Sequence, residues 1–500
     1  MNRLLSKHRH LPVICLLLIV TLIRLFFIVK LNLGDDEAYF WECGQHFDWS
    51  YLDHPPMAAL ISWLFTFILG NNEVGVRLGP LLFSSLFLFL IYRLTYQLFN
   101  NYRVSFYSTL LLSIMPIFSV GGIMLAPDAF LSFFWTLAIV LFYTIIKTGK
   151  ATYWYLLGIV WGLGMLSKYN MGVLPISIGL FLILSPKNRF WFLRIEIWIG
   201  LLIGALVFSP VIIWNTLRGF PSLAFHLVER NASFSFSIEP LLIYLVGQLT
   251  YLSPLVFILC MASLIYLIKK AFKEKDETSL FIVSMSLPYL LVFSIACSLS
   301  PTAKPHWPAM GYIPLFCAIP WLWEKEWKFE QWWKKIFKPL PVLLTAFAIT
   351  FVFLTQTLYP IMEIDPELDM TNELYGWPEA GERIQKEYDR LSKEAPTIVF
   401  TKRYNVASQV SFYTPGNIPA YSITGYSEQQ DLWERGSLDK LPKGAYGIYV
   451  ANTRYKPGNL NDFNFASFKE LPPVIVKRGG KIVRKIYIII YTDYLGKKAS

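Results

Sequence analysis

The chain has 500 residues, of which 55% are hydrophobic and only 16% are charged. An ordinary soluble domain has about 25% charged residues, and this much apolar mass does not fit into water-soluble cores. The composition therefore excludes a soluble or a disordered protein and predicts a polytopic membrane protein. The net charge of +11 does not indicate a nucleic-acid reader, because membrane proteins keep Lys and Arg on their cytoplasmic loops.

Apolar runs of spanning length predict about eleven membrane helices. The first run, residues 11–29, ends in Lys30 rather than in small residues, so it is expected to be an uncleaved helix and not a signal peptide. Residues 57–69 are apolar but short, which favours a re-entrant or interfacial segment. The other expected spans are residues 76–99, 104–124, 130–146, 153–166, 171–184, 190–214, 240–268, 280–299, 307–323 and 340–359.

Basic residues sort to one side of this map when the N-terminus is placed in the cytoplasm. The cytoplasmic turns then hold Arg103, Lys147, Lys150, Lys187, Arg189, Arg194, Lys269, Lys270, Lys273, Lys275, Lys325, Lys328, Lys334, Lys335 and Lys338. The outer turns receive a different set, Asp35, Asp36, Glu37, Asp53, His54, Asp128, Lys168, His226, Lys304 and His306. The map therefore predicts that any chemistry takes place on the outer face.

The last part of the chain has the character of a soluble domain. Residues 397–401, 446–450 and 485–491 are typical of strands, and residues 379–393 of an amphipathic helix. The sequence thus predicts a transmembrane domain over residues 1–360, with a first outer loop at 32–75, followed by an α/β domain over residues 361–500.

The first outer loop carries the densest group of acids. It reads GDDEAYFWECGQHFDWSYLDHPP from Gly34 to Pro56. Clustered carboxylates at membrane depth raise one another's pKa and indicate a functional site, although solvated interfacial acids are the alternative. Asp53 and His54 stand before a stiff Pro-Pro pair, a combination that suits metal or phosphate binding.

Four further outer segments carry candidates, each with an ordinary structural alternative. Asp128 lies at the start of a predicted helix. It either caps that helix or helps to hold a metal or an acceptor. Lys168 breaks an apolar stretch, where it either snorkels or binds an anion. His226 lies four residues before Arg230, and a partly buried surface histidine is the alternative. Lys304 and His306 precede Trp307, and the set is either an interfacial anchor or a phosphate contact.

The first loop resembles that of bacterial polyprenyl-phosphate sugar glycosyltransferases. These are GT-C membrane enzymes related to the protein O-mannosyltransferases and to the lipid A aminoarabinose transferase. The matching segments are GDDEAYFW, LDHPPMAALI and VGVRLGPLL. The family pattern is an Asp-Glu pair, an acid before Pro-Pro and an arginine that opens the next helix, here Asp36-Glu37, Asp53 and Arg77. The resemblance covers most of the chain and is strongest over residues 30–230 and 300–320.

The resemblance implies a role for each candidate. Asp36, Glu37 and Asp128 would be catalytic acids, and the donor phosphate would meet Lys168, Lys304, Arg230 and His306. In the aminoarabinose transferase branch the histidine and the acid before Pro-Pro meet at a metal, which implies Asp53 and His226 as ligands. His54, a further candidate ligand, stands where that branch has a lysine, so its surroundings differ here.

The fold implied is an α-helical GT-C domain with about 11–13 transmembrane helices and a C-terminal periplasmic α/β domain, in a bacterial inner membrane. We expect an inverting glycosyltransferase that moves a sugar from a polyprenyl (undecaprenyl) phosphate donor to lipid A or another glycolipid. A divalent metal is expected. A nucleotide is not expected, because the phosphoester of the donor is already activated. Nucleic acid is not an expected partner.

Competing interpretations remain at this stage. Protein O-glycosylation is the alternative within the enzyme class. A lipid flippase or transporter would need polar residues spread through several spans or paired broken helices, whereas the ionisable residues here collect at one face. A non-catalytic scaffold would not need acids and bases to converge from separate loops.

Overall fold

The structure is a computed structural model of the chain. It describes residues 10–226, 238–300, 302–328, 330–423, 429–433, 441–457, 460 and 463–497. The described residues form two compact units, each built from separate stretches of the chain. The first unit comprises Met1–Phe27, Asp53–Ala58 and Leu78–Phe353, and the second comprises Ile28–Leu52, Ala59–Arg77 and Leu354–Ser500.

The described part of the chain is helical up to residue 358. The α-helices are Leu11–Lys30, Asp35–Gln45, Met57–Leu69, Glu73–Phe99, Tyr102–Ser113, Pro116–Val120, Pro127–Thr148, Tyr153–Ser167, Leu174–Leu184, Ile195–Leu217, Pro221–Ala224, Ile238–Leu252, Pro254–Lys273, Glu277–Leu299, Ala309–Lys325 and Pro339–Leu358. Short 3-10 helices occupy Tyr169–Val173, Arg189–Leu193 and Trp332–Phe337.

Seven of the described helices are long and apolar enough to cross a membrane. They are Leu11–Lys30, Glu73–Phe99, Pro127–Thr148, Ile195–Leu217, Pro254–Lys273, Glu277–Leu299 and Pro339–Leu358. Four shorter apolar stretches of helix accompany them, at Met57–Leu69, Tyr153–Ser167, Tyr169–Leu184 and Ile238–Leu252. The polytopic α-helical fold is as predicted, while the seven helices that qualify by length are fewer than the 11–13 spans expected, because several apolar helices are short.

The expected span 104–124 is wrong as a single helix. It is divided into Tyr102–Ser113 and Pro116–Val120. Met115 has an extended ψ of 134°, as expected for a residue whose helical conformation is blocked by the proline that follows it.

The expected span 240–268 is divided in the same way, into Ile238–Leu252 and Pro254–Lys273. Ser253, directly before Pro254, has a φ of 64° and a ψ of 146°. The apolar periodicity runs through both breaks, so hydropathy alone did not reveal them. Pro116 and Pro254 are the sequence signals that indicate where the helices are interrupted.

A six-stranded sheet forms the centre of the second unit. The strands are β1 Thr397–Thr401, β2 Ala420–Ser422, β3 Tyr446–Asn452, β4 Phe463–Glu470, β5 Val474–Arg478 and β6 Lys481–Lys497, in the order β2-β1-β3-β6-β4, with β5 also paired to β6. β1 is parallel to β2 and β3, and β6 is antiparallel to β3, β4 and β5. The predicted strands at 397–401, 446–450 and 485–491 are confirmed.

Two helices pack on one face of this sheet, and a 3-10 helix and a short helix complete the unit. They are Trp377–Leu391, Tyr404–Tyr413, Met370–Leu374 and Gln429–Leu432. The core between sheet and helices includes the buried side chains of Trp377, Val399, Val406, Ile448 and Ile488. Alternate strand residues such as Phe400, Tyr449 and Ile489 form a second, aromatic cluster, because successive side chains of a strand point to opposite faces. The second unit also includes most of the first outer loop, which the sequence had assigned to the transmembrane part.

Glycines allow a close contact between two helices of the first unit. Tyr153–Ser167 and Ile195–Leu217 meet at Gly158 and Gly200, where a Cβ added to Gly158 would lie 2.0 Å from the carbonyl oxygen of Gly200. Small residues allow this approach of two backbones. The helix pair therefore has no room for a side chain at this position.

Gly158→Ala is expected to destabilise the protein, because overpacking a close helix contact typically costs about 1–3 kcal/mol. Gly179→Ala is the matched control, since a Cβ there meets no atom within 4 Å. Thermal unfolding of both purified variants in the same detergent measures the effect. A melting temperature of the Gly158 variant equal to that of the control would contradict the packing.

Candidate functional site

Three acids open the helix Asp35–Gln45 in the second unit. The macrodipole of a helix favours negative charge in its first turn, and the Gly34 N–H donates a hydrogen bond of 2.8 Å to Oε2 of Glu37. The three carboxylates differ in exposure: Asp35 and Glu37 are buried, whereas Asp36 is exposed. Asp36 is therefore the acid of the predicted catalytic pair that a substrate can reach.

Glu37 forms a fully buried ion pair with Arg77. Oε1 accepts a hydrogen bond of 2.7 Å from Nε of Arg77, and Oε2 accepts one of 2.5 Å from Nη2. The same guanidinium donates to the carbonyl oxygens of Leu31 and Asn32, at 2.5 and 2.8 Å. Bidentate pairing of this kind fixes geometry as well as charge. In this structure Glu37 anchors the turn that presents Asp36, and the catalytic role expected of Glu37 stays a prediction.

Asp35 and Glu42 are buried acids held by the helix Tyr404–Tyr413. Asp35 accepts hydrogen bonds from the side-chain amides of Asn405 and Gln409, at 3.1 and 3.0 Å. Glu42 accepts from the Ser408 hydroxyl at 2.7 Å. Within the second unit these bonds attach the first outer loop to the helix of the YNVASQ segment, and the sequence analysis had not assigned a partner to any of these groups.

Glu373 is a further acid beside Asp36 that sequence reasoning missed. Burial, reinforced by the negative charges of Asp35 and Asp36, raises the pKa of Glu373 to about 8. Arg454 lies 3.5 Å from Glu373 Oε2, and Nη1 of Arg484 donates to the Glu373 carbonyl oxygen at 3.0 Å. The surroundings of Asp36 in this unit are therefore rich in both acids and arginines.

Lys168 and Asp128 form the central ion pair of the first unit. Nζ of Lys168 donates to both oxygens of Asp128, at 2.8 and 2.7 Å, and the lysine is only 7% exposed. Nε2 of His306 lies 3.9 Å from the same carboxylate. Three predicted candidates from distant parts of the sequence are thus in contact. The N-cap residue of this helix is Ala126, and the Asp128 carboxylate in its first turn accepts hydrogen bonds from Lys168.

A cavity next to this ion pair is lined by a few polar side chains and by a larger number of apolar residues. The polar side chains are those of Ser84, Asp128, Ser132 and His306, and the remaining lining is Phe87, Ile117, Phe118, Gly121, Gly122, Ala129, Ala309 and Met310. A cavity with few polar groups among many apolar ones is typical of a small-molecule or lipid site. Asp128 and His306 line this cavity, and Lys168 contacts the same Asp128 carboxylate.

Asp53, His54 and His226 are close to one another in the first unit. Nε2 of His226 lies 3.0 Å from the backbone carbonyl oxygen of Asp53, and His54 lies 3.8 Å from the Asp53 carboxylate. A transition-metal site needs three or four ligands at bonding distance. Among the residues that the structure describes, no three His, Cys, Asp or Glu side chains are grouped as a metal site requires. The residues therefore do not fit a preformed metal site in this arrangement, and the metal stays a prediction.

Two residues predicted to bind the donor phosphate, Lys304 and Arg230, have no described contact with Lys168, Asp128 or His306. Lys304 is exposed, and its backbone oxygen accepts hydrogen bonds from Cys297 Sγ and the Trp307 N–H. Arg230 lies outside the described residues. Their predicted roles are untested.

Glu37→Gln is expected to destabilise the protein far more than Asp36→Asn. Removing one partner of a buried ion pair leaves a buried charge, here Arg77, and typically costs about 3–5 kcal/mol. Asp36→Asn is a matched control, because it makes the same chemical change at the adjacent, exposed carboxylate. Thermal unfolding of the two variants in one detergent tests the assignment, and equal melting temperatures would contradict it.

Glu373 is expected to give stability a negative dependence on pH. Its folded-state pKa of about 8 exceeds its ordinary value of 4.5, so between these values the folded chain holds a proton that the unfolded chain releases. Stability falls as pH rises wherever the folded state binds more protons. Melting temperatures measured from pH 5 to 8.5 should therefore fall less steeply for Glu373→Gln than for the wild type, and parallel profiles would contradict the shift.

The sequence of one segment matches a known family. Residues 53–214 match the family model described as dolichyl-phosphate-mannose-protein mannosyltransferase. This segment contains Asp53, His54, Arg77, Asp128 and Lys168, and it covers about a third of the chain.

Two curated relatives extend the match. A lipid A galacturonosyltransferase of Rhizobium johnstonii is 23% identical to this chain over 80% of the chain and 82% of its own length. An undecaprenyl phosphate-α-4-amino-4-deoxy-L-arabinose arabinosyl transferase of Yersinia pestis is 25% identical over 52% of the chain. The match spans only 48% of that second relative, about half of its length.

Solved structures share the fold over nearly the whole chain. The structure of ArnT from Cupriavidus metallidurans bound to undecaprenyl phosphate has a TM-score of 0.60 at 16% identity and covers 95% of this chain and 97% of its own. The oligosaccharyltransferase of Archaeoglobus fulgidus has a TM-score of 0.53 at 13% identity and covers 87% of this chain and 69% of its own. The chain is a multi-pass membrane protein with the GT-C fold, and it is a relative of the membrane glycosyltransferases that the sequence motifs predicted.

Proposed function

We propose that this chain is an inverting glycosyltransferase. It transfers a sugar from a polyprenyl phosphate, most simply undecaprenyl phosphate, to lipid A or another glycolipid. The observation that carries the proposal is the Asp128 carboxylate, which binds the buried Lys168, lies beside His306 and lines a mostly apolar cavity. The names of the relatives, which act on lipid A or use undecaprenyl phosphate sugars, support the same substrates.

The donor phosphate is bound by Lys168. Its ammonium has three hydrogens, and the two contacts with Asp128 occupy two of them. The third can donate to an oxygen of the donor phosphate, while Asp128 holds the ammonium in place. His306, when protonated, adds a second positive charge close by. Fixed cations stabilise a transition state when they lie where negative charge develops. In this reaction the negative charge develops on the phosphate of the leaving polyprenyl group.

The transfer is a direct displacement at the anomeric carbon. A lone pair of the acceptor oxygen forms the new bond, the bond between the anomeric carbon and the phosphate oxygen breaks, and its electron pair leaves on polyprenyl phosphate. One displacement inverts the anomeric centre. If the acceptor is a hydroxyl, Asp36 accepts its proton as general base. If the acceptor is a phosphate, its oxygen is already anionic and Asp36 orients it.

Glu37 and Arg77 position Asp36, and a direct catalytic role of Glu37 belongs to the proposal only as a prediction. A divalent metal at Asp53 and His226, with His54 as a third candidate, belongs to the proposal only as a prediction. The reaction above needs no step through it. A bound metal would neutralise negative charge on the donor phosphate.

The proposed orientation follows the distribution of charge. The N-terminus lies in the cytoplasm of a bacterial cell, and the acids, Lys168 and the C-terminal sheet domain lie on the periplasmic side of the inner membrane. The basic residues of the opposite turns support this orientation. A protein acceptor is the second candidate substrate, supported by the description of the matching family model.

The first test is transfer by the purified protein in detergent. It uses radiolabelled polyprenyl phosphate sugars and a crude envelope lipid fraction as acceptor. Wild type is expected to label a lipid, and Lys168→Ala and Asp36→Ala are expected to lose at least about 100-fold in rate, as is usual for groups that stabilise charge or transfer a proton in the transition state.

Lys273→Ala is the control, because Lys273 is an exposed lysine of a predicted cytoplasmic turn. It should retain the wild-type rate.

Label in protein instead of lipid would identify the second candidate acceptor. Donor binding without transfer of any of several sugars would contradict the enzyme and favour a lipid transporter. Loss of transfer in EDTA with recovery on adding a divalent metal would support the metal, and full activity in EDTA would remove it from the proposal.

A further inference from the structure

A second cavity, of about 100 Å³, lies among three helices of the first unit. The helices are Tyr153–Ser167, Leu174–Leu184 and Ile195–Leu217, and Phe192 of the neighbouring 3-10 helix also lines the cavity. All the lining residues are apolar side chains, tryptophans or glycines. Cavities with such walls exclude water and take up apolar molecules, so an apolar ligand suits this one.

The cavity is elongated along the helices. Its lining extends from Trp154 to Trp161 on one helix and from Leu174 to Leu182 on the next. At a rise of 1.5 Å per residue, these stretches are about 10 to 12 Å long. A hydrocarbon chain that lies along the helices fits this shape better than a compact ligand does.

Gly179 leaves room for such a chain. This glycine lines the cavity, and a Cβ added to it would meet no atom within 4 Å. Gly158 and Gly200 also line the cavity, but a Cβ on either would lie within 2.5 Å of a backbone oxygen. Those two glycines therefore serve the helix contact, whereas Gly179 adjoins open space.

Arg189 lies at one end of the cavity. Its Nε donates a hydrogen bond of 2.7 Å to the carbonyl oxygen of Ile183, which places the guanidinium beside the residue that follows Leu182. Leu182 and Phe192, on either side of Arg189 in the sequence, both line the cavity. The charge map predicts that this turn is cytoplasmic. A cation is thus held at the predicted cytoplasmic end of an apolar cavity.

Arg189 differs from the other cations of this turn in its partners. Lys187 lies 3.5 Å from Glu277, and Arg194 lies 2.6 Å from Glu196. Within the part of the chain that the structure describes, Arg189 pairs with no carboxylate, and its side chain is exposed. The turn therefore has one uncompensated positive charge, and the terminal nitrogens of Arg189 can bind an anion.

Trp154 contributes a polar group to the wall of the cavity. The residue is only 3% exposed, and among the described residues its indole nitrogen has no hydrogen-bond partner. A buried N–H group without an acceptor is unfavourable. A ligand with an acceptor oxygen next to its hydrocarbon chain would remove this cost. The ester carbonyl of a glycerolipid is such an acceptor, and it lies between the acyl chain and the phosphate.

We propose that this cavity binds an acyl chain of an anionic glycerophospholipid from the cytoplasmic leaflet, with its phosphate at Arg189. Basic pockets between membrane helices on the cytoplasmic side bind anionic lipid headgroups, and the apolar cavity adds a place for the chain. Lys168 follows the other end of the helix that begins next to Trp154. The bound lipid is therefore distinct from the sugar donor proposed at Lys168, and it stabilises the packing of the three helices.

The test of the headgroup contact is a lipid titration without sugar transfer. Purified full-length protein in detergent is titrated with phosphatidylglycerol and with phosphatidylcholine of the same acyl chains, and the melting temperature is followed. A ligand that binds only the folded state raises this temperature. Wild type is expected to respond to phosphatidylglycerol at a concentration about fivefold lower, which corresponds to about 1 kcal/mol for one basic residue.

Arg189→Gln should respond equally to the two lipids. Arg103→Gln, which changes an exposed arginine of another predicted cytoplasmic turn, should keep the wild-type preference. Equal responses of the wild type to both lipids would overturn the proposal. An Arg189→Gln variant with the same preference as Arg103→Gln would also overturn it.

The test of the acyl-chain contact is Gly179→Leu, which fills the cavity. Because the new side chain enters open space, the variant should fold and melt in lipid-free detergent at or above the wild-type temperature. It should need at least about tenfold more phosphatidylglycerol for the same rise, a loss of about 1.4 kcal/mol of binding. Ile176→Phe is the control, because it enlarges a side chain of the same helix that is 59% exposed and lies outside the cavity lining.

A Gly179→Leu variant that responds to phosphatidylglycerol like Ile176→Phe would overturn the acyl-chain site. If Gly179→Leu does not fold, the comparison of Arg189→Gln with Arg103→Gln decides. Undecaprenyl phosphate, titrated in parallel, separates the two lipid sources. If Gly179→Leu loses its response to undecaprenyl phosphate but keeps its response to phosphatidylglycerol, the cavity holds a polyprenyl chain and the phospholipid is overturned.

Discussion

A charge in an apolar environment must be compensated, and this constraint explains the arrangement of the acids. Glu37 and Arg77 are both essentially inaccessible, and the guanidinium contacts both carboxylate oxygens and two backbone carbonyls. Because this pair fixes the first turn of the helix Asp35–Gln45, the neighbouring Asp36 is the one acid of the three that is exposed there. A buried ion pair adds little net stability, so its value here lies in the geometry that it imposes.

The same constraint operates in the first unit with a different outcome. Lys168 is buried and held by both oxygens of Asp128, but Asp128 and His306 also line a cavity. Arg77 donates four hydrogen bonds to groups of the protein itself, whereas Lys168 donates two, both to Asp128, and retains a third hydrogen for a ligand. The first unit thus supplies the features expected of a site for a lipid phosphate, and the second unit supplies the exposed carboxylate of Asp36.

The sequence could predict the chemistry of single residues better than their partners. The GDDE and DHPP segments indicated Asp36 and Asp53, and the strands at 397–401 and 446–450 were evident from their periodicity. The pairing of Lys168 with Asp128, and of Asp35 with Asn405 and Gln409, could not be predicted. These contacts join residues 40 to 374 positions apart, and neither periodicity nor motif spacing carries information at that range. Glu373 and its neighbouring arginines were missed for the same reason. The two helix breaks were missed because hydropathy averages over Pro116 and Pro254.

The most direct measurement of the central claim is the stoichiometry of a single turnover without nucleotide. Purified protein in excess is mixed with a synthetic polyprenyl phosphate sugar of known anomeric configuration and an acceptor glycolipid, and the lipids are followed by mass spectrometry and NMR. The account predicts one polyprenyl phosphate released per sugar transferred, with the opposite anomeric configuration in the product. Retention of configuration, a requirement for nucleotide, or loss of donor without a glycosylated lipid or protein would contradict it.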